Sequence, residues 1–444
     1  MTLAPSLSEA LSEAGSRAPD LSIVDSLVAR LRASLGSDRV STAEAARRAA
    51  STDYAFLSPV LSAALPAARP ADVVVYPRSL DELTAAVALA RDLEVPIVPR
   101  GKGTGNYGQA VPLAAGMVVD LSGMDGVLEL GNGWARAEAG ATFVVLETAA
   151  RRVGQEVAML PTTVGSTIGG FLAGGAGGVG SIEHGLLWNG FVRELEVVTP
   201  GGVVRPRGEE CLPYLHAYGV TGIIAAATVK LAPARARIGL VASYDSFDAA
   251  VAAGQELLAL QPPPRLVSVD DPELVALYPP DACLPLGRYS LRAVVDKGFD
   301  PGLLAGGRIE LVSEEAAAYL STLAFNHVTL RAKKARADLC HLQVSGGALV
   351  NNADAVRSVL PGAMLHLDGL SDGFGGLLLS EFRDTATLYE GVARLRELGV
   401  FVVDPHTWLL GGPALANIRA TAQANDPKGL LNPGKLPPRS AGQQ

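Results

Sequence analysis

The stretch PRGKGTGNYGQAVP, running from Pro99 to Pro112, constrains this chain more than any other. It holds a GxGxxG pattern at Gly103, Gly105 and Gly108 and follows the apolar run Val95–Val98. A dinucleotide-binding doubly wound fold needs strand, glycine turn and then helix, so that a pyrophosphate meets the helix N-terminus. Here the strand is present and the helix is not. Pro112 interrupts QAVPLAAGMVVDL, and the next ordered run, Met117–Leu121, reads as another strand. An anion at this loop would therefore be met by the loop's own amides. Gly101, Gly103 and Gly105 permit close backbone approach, Thr104 adds a hydroxyl, and Arg100 and Lys102 add positive charge. A surface turn is the other reading of this loop taken alone.

A second cluster weighs against the surface turn. Nine glycines lie between Gly165 and Gly185, interleaved with Ser166, Thr167, Ser181 and His184 and with the apolar Ile168, Phe171 and Leu172. A flexible linker would lack the apolar residues. A packed segment this rich in glycine reads as backbone laid against a large flat ligand, with Thr162, Thr163, Ser166 and Thr167 as uncharged partners for it. Around the loops, Val73–Tyr76 reads as a strand. Ser79 and Glu82 form a capping box for a helix whose apolar face is Leu80, Leu83, Val87 and Ala90, and Ile97–Val98 begins the next strand. A helix is expected over about 142–153, a strand over Val192–Thr199 and a hairpin turn at Pro200–Gly202.

From about Arg235 short strands alternate with helices and Pro-rich breaks, which reads as a separate α+β domain over 236–405. The expected division is 1–235 (core 66–235), 236–405, and a C-terminal segment 406–444 that returns to the first domain. The 444 residues carry 37 Lys+Arg against 45 Asp+Glu, an acidic balance with no basic run, which excludes nucleic acid as the main partner. Three separated cysteines offer neither a disulfide framework nor a CxxC metal site. No apolar run reaches the length of a membrane span and the N-terminus lacks a signal-peptide pattern, so a cytoplasmic protein is expected.

Taken in order, VVYPRSLDEL, VPIVPRGKGTGNYGQAVP, GSTIGGFLAGGAGGVGSIEHG, GVTGIIAAATVKLAP and NDPKGLLNPGKL resemble the vanillyl-alcohol oxidase/p-cresol methylhydroxylase flavoprotein family. The chain looks most like its glycolate oxidase subunit/D-lactate dehydrogenase branch. The resemblance covers about Asp53–Pro233 and the last dozen or so residues. It implies an α+β fold with a two-subdomain FAD-binding (PCMH-type) domain and an α+β cap, and an FAD-linked oxidase or dehydrogenase. By the same resemblance Arg100, Gly101, Lys102, Gly103, Thr104 and Gly105 would hold the FAD diphosphate. Thr162, Gly165, Thr167, Gly169 and Gly170 would approach the flavin, Ile224 the adenine side, and Asn432 and Lys435 the ring or ribityl chain. Covalent members carry a His where Thr104 stands, so non-covalent FAD is expected. The branch's metal-ligand motif is matched only by HLDGLSDG (His366–Gly373), which lacks the second His, so no metal is expected.

Hydride abstraction from a carbon next to O or N needs a base for the heteroatom proton, and His has the suitable pKa range. Of six histidines, His406 in DPHTWLLGG is the first candidate because it matches the family's base position. His327, four residues before Arg331, is the second, and His184 the third. Asp404 is a candidate to orient His406, and Arg331 or Arg383 to clamp a carboxylate. The expected function is FAD-dependent removal of a hydride from a hydroxyl-bearing carbon, with a 2-hydroxy acid as one substrate class and O₂ or a carrier as electron acceptor. A larger alcohol, amine or secondary metabolite, or a non-catalytic flavin-binding subunit, are the alternatives.

Overall fold

A computed structural model describes residues 5–280 and 283–438. Residues 1–4, 281–282 and 439–444, parts of the three expected segments, lie outside the described residues. Three sheets organise the chain. The first contains β1 (Val40–Ser41), β2 (Val73–Val75), β3 (Ile97–Arg100) and β4 (Met117–Asp120) in the order β1-β2-β4-β3. β2 and β3 both run parallel to β4, which inserts between them. The glycine loop thus leaves the carboxyl end of a parallel strand and returns as strand, not helix.

The helix Leu80–Asp92 joins β2 to β3 and buries Leu83, Ala86, Val87 and Ala90. Ser79 caps it by accepting from the Glu82 amide at 3.2 Å. The expected reciprocal bond is absent. Glu82 Oε2 accepts instead from the Arg78 amide at 2.8 Å, so the capping box closes one residue early.

The second sheet holds β5 (Val127–Gly131), β6 (Trp134–Glu138), β7 (Gln155–Val157), β8 (Val192–Thr199), β9 (Gly202–Val204) and β10 (Ile223–Pro233). The long, almost wholly buried β10 pairs with β6, β7 and β8 and is its backbone. Between β6 and β7 lies the helix Phe143–Arg151, capped by Thr142. The third sheet is antiparallel throughout. It takes β11 (Arg237–Tyr244), β12 (Leu266–Asp270), β13 (Tyr289–Asp296), β14 (Arg308–Ser313), β15 (Leu339–Ser345), β16 (Met364–Leu370), β17 (Gly373–Glu381) and β18 (Phe401–Val403) in the order β14-β11-β13-β12-β16-β17-β15-β18.

The second and third sheets are tied by one buried carboxylate. Glu156 of β7 is 1% exposed and receives Arg151 at 2.6 Å, Arg265 at 2.8 Å and a two-pronged contact from Arg237. Arg265 also donates to the Val157 carbonyl at 2.8 Å. Burial alone would raise the Glu156 pKa. The Arg237 hydrogen bond and the charges of Arg265, Arg237 and Arg151 outweigh it and hold the group below its ordinary value.

Removing one member of such a buried cluster leaves uncompensated charge. Glu156→Ala is expected to destabilise the protein by about 3–5 kcal/mol, read from urea unfolding. The wild-type contribution is present above the unfolded carboxylate pKa of about 4.3 and is lost as the pH falls through the lower folded value, so the difference between the two proteins shrinks in acid.

Candidate functional site

A cavity of about 480 Å³ is walled by both glycine segments, by 216–224, and by residues of the third sheet and its connections. The glycine loop enters it from β3. Arg100 does not reach into open space: its guanidinium donates to the carbonyls of Ala50 and Thr52 and so fixes the loop's root. Among the described residues the amides of Lys102, Gly103, Thr104 and Gly105 donate to no protein acceptor. Unmet amides in a row at a cavity wall are what an anionic ligand requires. The two segments meet at Gly101, where a Cβ would lie 2.0 Å from Thr167 Oγ1. Only glycine allows this approach.

Behind that contact Thr167 caps the short helix Ile168–Gly174, and Thr104, Ser166 and Thr163 form a hydroxyl chain with links of 2.8 and 2.7 Å. Gly169 sits where a Cβ would strike Ala139, and with Gly170 it lines the cavity. Ile224 lines the wall beside a bulge in β10. These features fit a flavin dinucleotide: unmet amides and Lys102 for the diphosphate, uncharged hydroxyls for a ring edge.

Three residues expected at the cofactor stand elsewhere. Gly165 does not line the cavity, and a Cβ there meets open space. Asn432 and Lys435 are also absent from the wall. They brace the loop from behind: Asn432 Nδ2 donates to the carbonyls of Gln109 and Tyr218, and Lys435 Nζ to those of Gly108 and Val111. Burial pushes the Lys435 ammonium down to about 7, opposed by the charge of Asp53.

The histidines separate clearly. His406 is fully buried and off the cavity wall, with Nδ1 2.7 Å from Ser58 Oγ and its pKa pushed by burial to about 4. Asp404 accepts from the His406 backbone amide at 2.8 Å, not from its ring. His184 and Arg383 are not on the wall either. His327 is, at the start of the helix His327–Ala335, with its Nδ1 buried and unpartnered. Burial first, then the charge of Arg331, lower its pKa, while the Thr162 backbone pulls it upward. Arg331 acts on His327 but does not line the cavity. His216 lines it as well, but its Nδ1 bonds the Gly175 carbonyl at 2.9 Å and its Nε2 faces the Tyr218 hydroxyl at 3.4 Å.

Sequence reasoning missed Tyr107, Asn326 and Gln343. The Tyr107 oxygen accepts from Asn326 Nδ2 at 3.2 Å and from Gln343 Nε2, and Gln343 also donates to Asn326 Oδ1 at 3.2 Å. A phenol that accepts twice is left with its own proton to give. Tyr107 lies inside the glycine loop, so a signal was present, but its partners are 219 and 236 residues away and nothing local marks them.

Residues 71–206 match the FAD binding domain family. Glycolate oxidase subunit GlcD of Bacillus subtilis is 29% identical over 221 residues, 46% of this chain and 47% of that protein. D-lactate dehydrogenase of Archaeoglobus fulgidus is 31% identical over 172 residues, 36% of this chain and 39% of that protein. The chain thus spans less than half the length of these curated relatives. The fold extends further: a solved alkyldihydroxyacetonephosphate synthase covers 93% of this chain and 85% of its own, with a TM-score of 0.75 at 18% identity.

The tight approach at Gly101 predicts that Gly101→Ala abolishes retention of FAD through purification, read from the visible spectrum, while Gly165→Ala retains it. Acid precipitation of the wild type is expected to release the flavin to the supernatant, because Thr104 offers no ring nitrogen for a covalent link.

Proposed function

From a chain whose residues 71–206 form an FAD binding domain, within the fold of the vanillyl-alcohol oxidase type, we propose an FAD-dependent oxidoreductase that removes a hydride from a hydroxyl-bearing carbon. No helix among the described residues is long and apolar enough to cross a membrane. When bound, FAD would supply the hydride acceptor, with O₂ or a carrier as the onward electron acceptor. The chain's own residues do the rest. His327, on the cavity wall, takes the hydroxyl proton on its imidazole ring, for which it must be neutral. Its lowered pKa keeps it so near pH 7. Tyr107, with its oxygen fixed by two amides, donates a hydrogen bond to a substrate oxygen, keeping its own proton, and orients the substrate in the cavity. What supports the reading is that His327, Tyr107 and both glycine segments line one cavity.

The names of the relatives favour a 2-hydroxy acid as substrate. A larger, less polar alcohol is the second reading, favoured by the apolar residues on the same wall: Trp188, 47% exposed, and Phe401, 64% exposed, with Leu330 and Leu370. Anaerobic mixing with glycolate, D-lactate, L-lactate and longer or aromatic alcohols decides between them by which donor bleaches the flavin. Bleaching by none leaves the non-catalytic flavin-binding reading. His327→Gln is expected to keep FAD and to lower kcat by about 10²–10⁴-fold. In the wild type, kcat/KM is expected to hold at neutral pH and to fall in acid only below the ordinary His value of 6.5, as His327 protonates.

A further inference from the structure

His327 and Asn326 are carried by the segment Leu323–His327, and the third sheet grips that segment twice. Arg292 donates to the Leu323 carbonyl, and Asp368 Oδ2 accepts from the Phe325 amide at 2.9 Å. Phe325 itself sits at a φ of +51°, a conformation that a non-glycine residue holds only when its surroundings impose it. The two grips are the ends of one buried chain. Arg292 Nε donates to Asp270 at 3.0 Å. Asp270 Oδ1 lies 2.7 Å from His366 Nδ1, and His366 Nε2 lies 2.8 Å from Asp368 Oδ2. Arg292, Asp270 and His366 are 0% exposed and Asp368 is 2% exposed.

The chemistry of the middle link follows from geometry. His366 has a carboxylate on each ring nitrogen. Ionised carboxylates only accept, so both nitrogens must carry hydrogen, and the ring is an imidazolium. The charges then alternate along the chain: guanidinium, carboxylate, imidazolium, carboxylate. Register makes this possible, because Asp270 of β12 stands opposite His366 of β16, and Ser268 stands opposite Asp368 and donates to its Oδ1 at 2.8 Å. Tyr278 adds a 2.9 Å bond to Asp270 Oδ1, and Ser290 donates to Oδ2. From β17 the residue opposite His366 is the uncharged Leu377.

We infer that His366 is a positioning residue for the reaction: through Asp368 it fixes the Phe325 backbone, and with it Asn326 and His327 on the cavity wall. The inference rests on the reading of that cavity as the oxidation site. Deprotonation would leave an imidazole lone pair against a carboxylate and loosen the Phe325 grip. Burial works against the charge, but Asp368 and Asp270 prevail and raise the His366 pKa to about 9. The rate is therefore lost on the alkaline side as His366 deprotonates, while His327 governs the acid side.

The test is the pH profile of kcat for wild type, H366Q and H327Q, each carrying FAD, alongside the thermal midpoint at each pH. In the wild type, kcat is expected to fall as pH passes about 9. H366Q is expected to retain FAD, to lose at least tenfold in kcat with a smaller change in KM, and to lack that alkaline limb. The thermal readout is independent of activity. The His366 imidazolium stabilises the fold fully below the unfolded His pKa of about 6.5, and this is lost as pH rises through the folded value. The midpoint gap between wild type and H366Q should therefore narrow over that range.

An H366Q enzyme with wild-type kcat and an unchanged alkaline limb overturns the inference. If H366Q does not fold, a wild-type profile that is flat through the same range overturns it equally. Full activity in H327Q, with H366Q impaired and its limb gone, removes His327 as base and leaves the positioning role of His366 standing.

Discussion

One buried carboxylate decides whether the halves of this protein face each other. Glu156 collects Arg151 from the helix that precedes its own strand, Arg237 from β11 and Arg265 from the residue before β12, so two layers share a single electrostatic root. Three guanidiniums would repel one another in low dielectric, and the shared anion converts that repulsion into a clamp. Because the cavity takes its walls from both sides of this joint, the distance between the glycine loop and His327 is inherited from it. Local perfection in either wall would be of no use if the joint slipped.

The glycine segments follow a different logic. Their part is to withhold side chains. Gly101 lets the loop touch Thr167, and Gly169 lets the following helix sit against Ala139. The loop's amides thereby stay unspent and its floor stays close to the second segment. The donors that brace the loop come from elsewhere: Arg100 through carbonyls of 50–52, and Asn432 and Lys435 through carbonyls of 108–111 and 218. A ligand site built from backbone needs side chains to hold that backbone still.

Local pattern was readable wherever local forces decide. The helical period of Leu83, Val87 and Ala90, the Ser79 cap and the strand Val192–Thr199 are each present in the fold. So does the rejection of a helix after Gly108, because Pro112 settles it within a few residues. What was not legible depends on pairing across long separations. β4 inserting between β2 and β3 could not be read from any one of them. Asn432 and Lys435 were expected at the ring, yet their amide and ammonium are consumed by carbonyls more than 200 residues away. His406 carries a familiar neighbourhood, but burial against Ser58 takes it off the wall. The HLDG run looked like a damaged metal site. Its His instead has two carboxylates that balance its charge, one of them from a strand almost a hundred residues earlier.

The braces behind the glycine loop also fix an order of events during synthesis. The strand and loop that face the dinucleotide emerge from the ribosome early, but the carbonyls of Gly108 and Val111 wait for an ammonium at position 435, some 320 residues later. At the usual pace of translation of about 5–20 residues per second, that is an interval of many seconds. Through it the nascent loop lacks the Lys435 brace and is held at its root by Arg100 on the carbonyls of Ala50 and Thr52, while the third-sheet wall of the cavity is still being made. The brace on the loop is thus completed late, and a chain stopped before Lys435 would carry its first sheet without it.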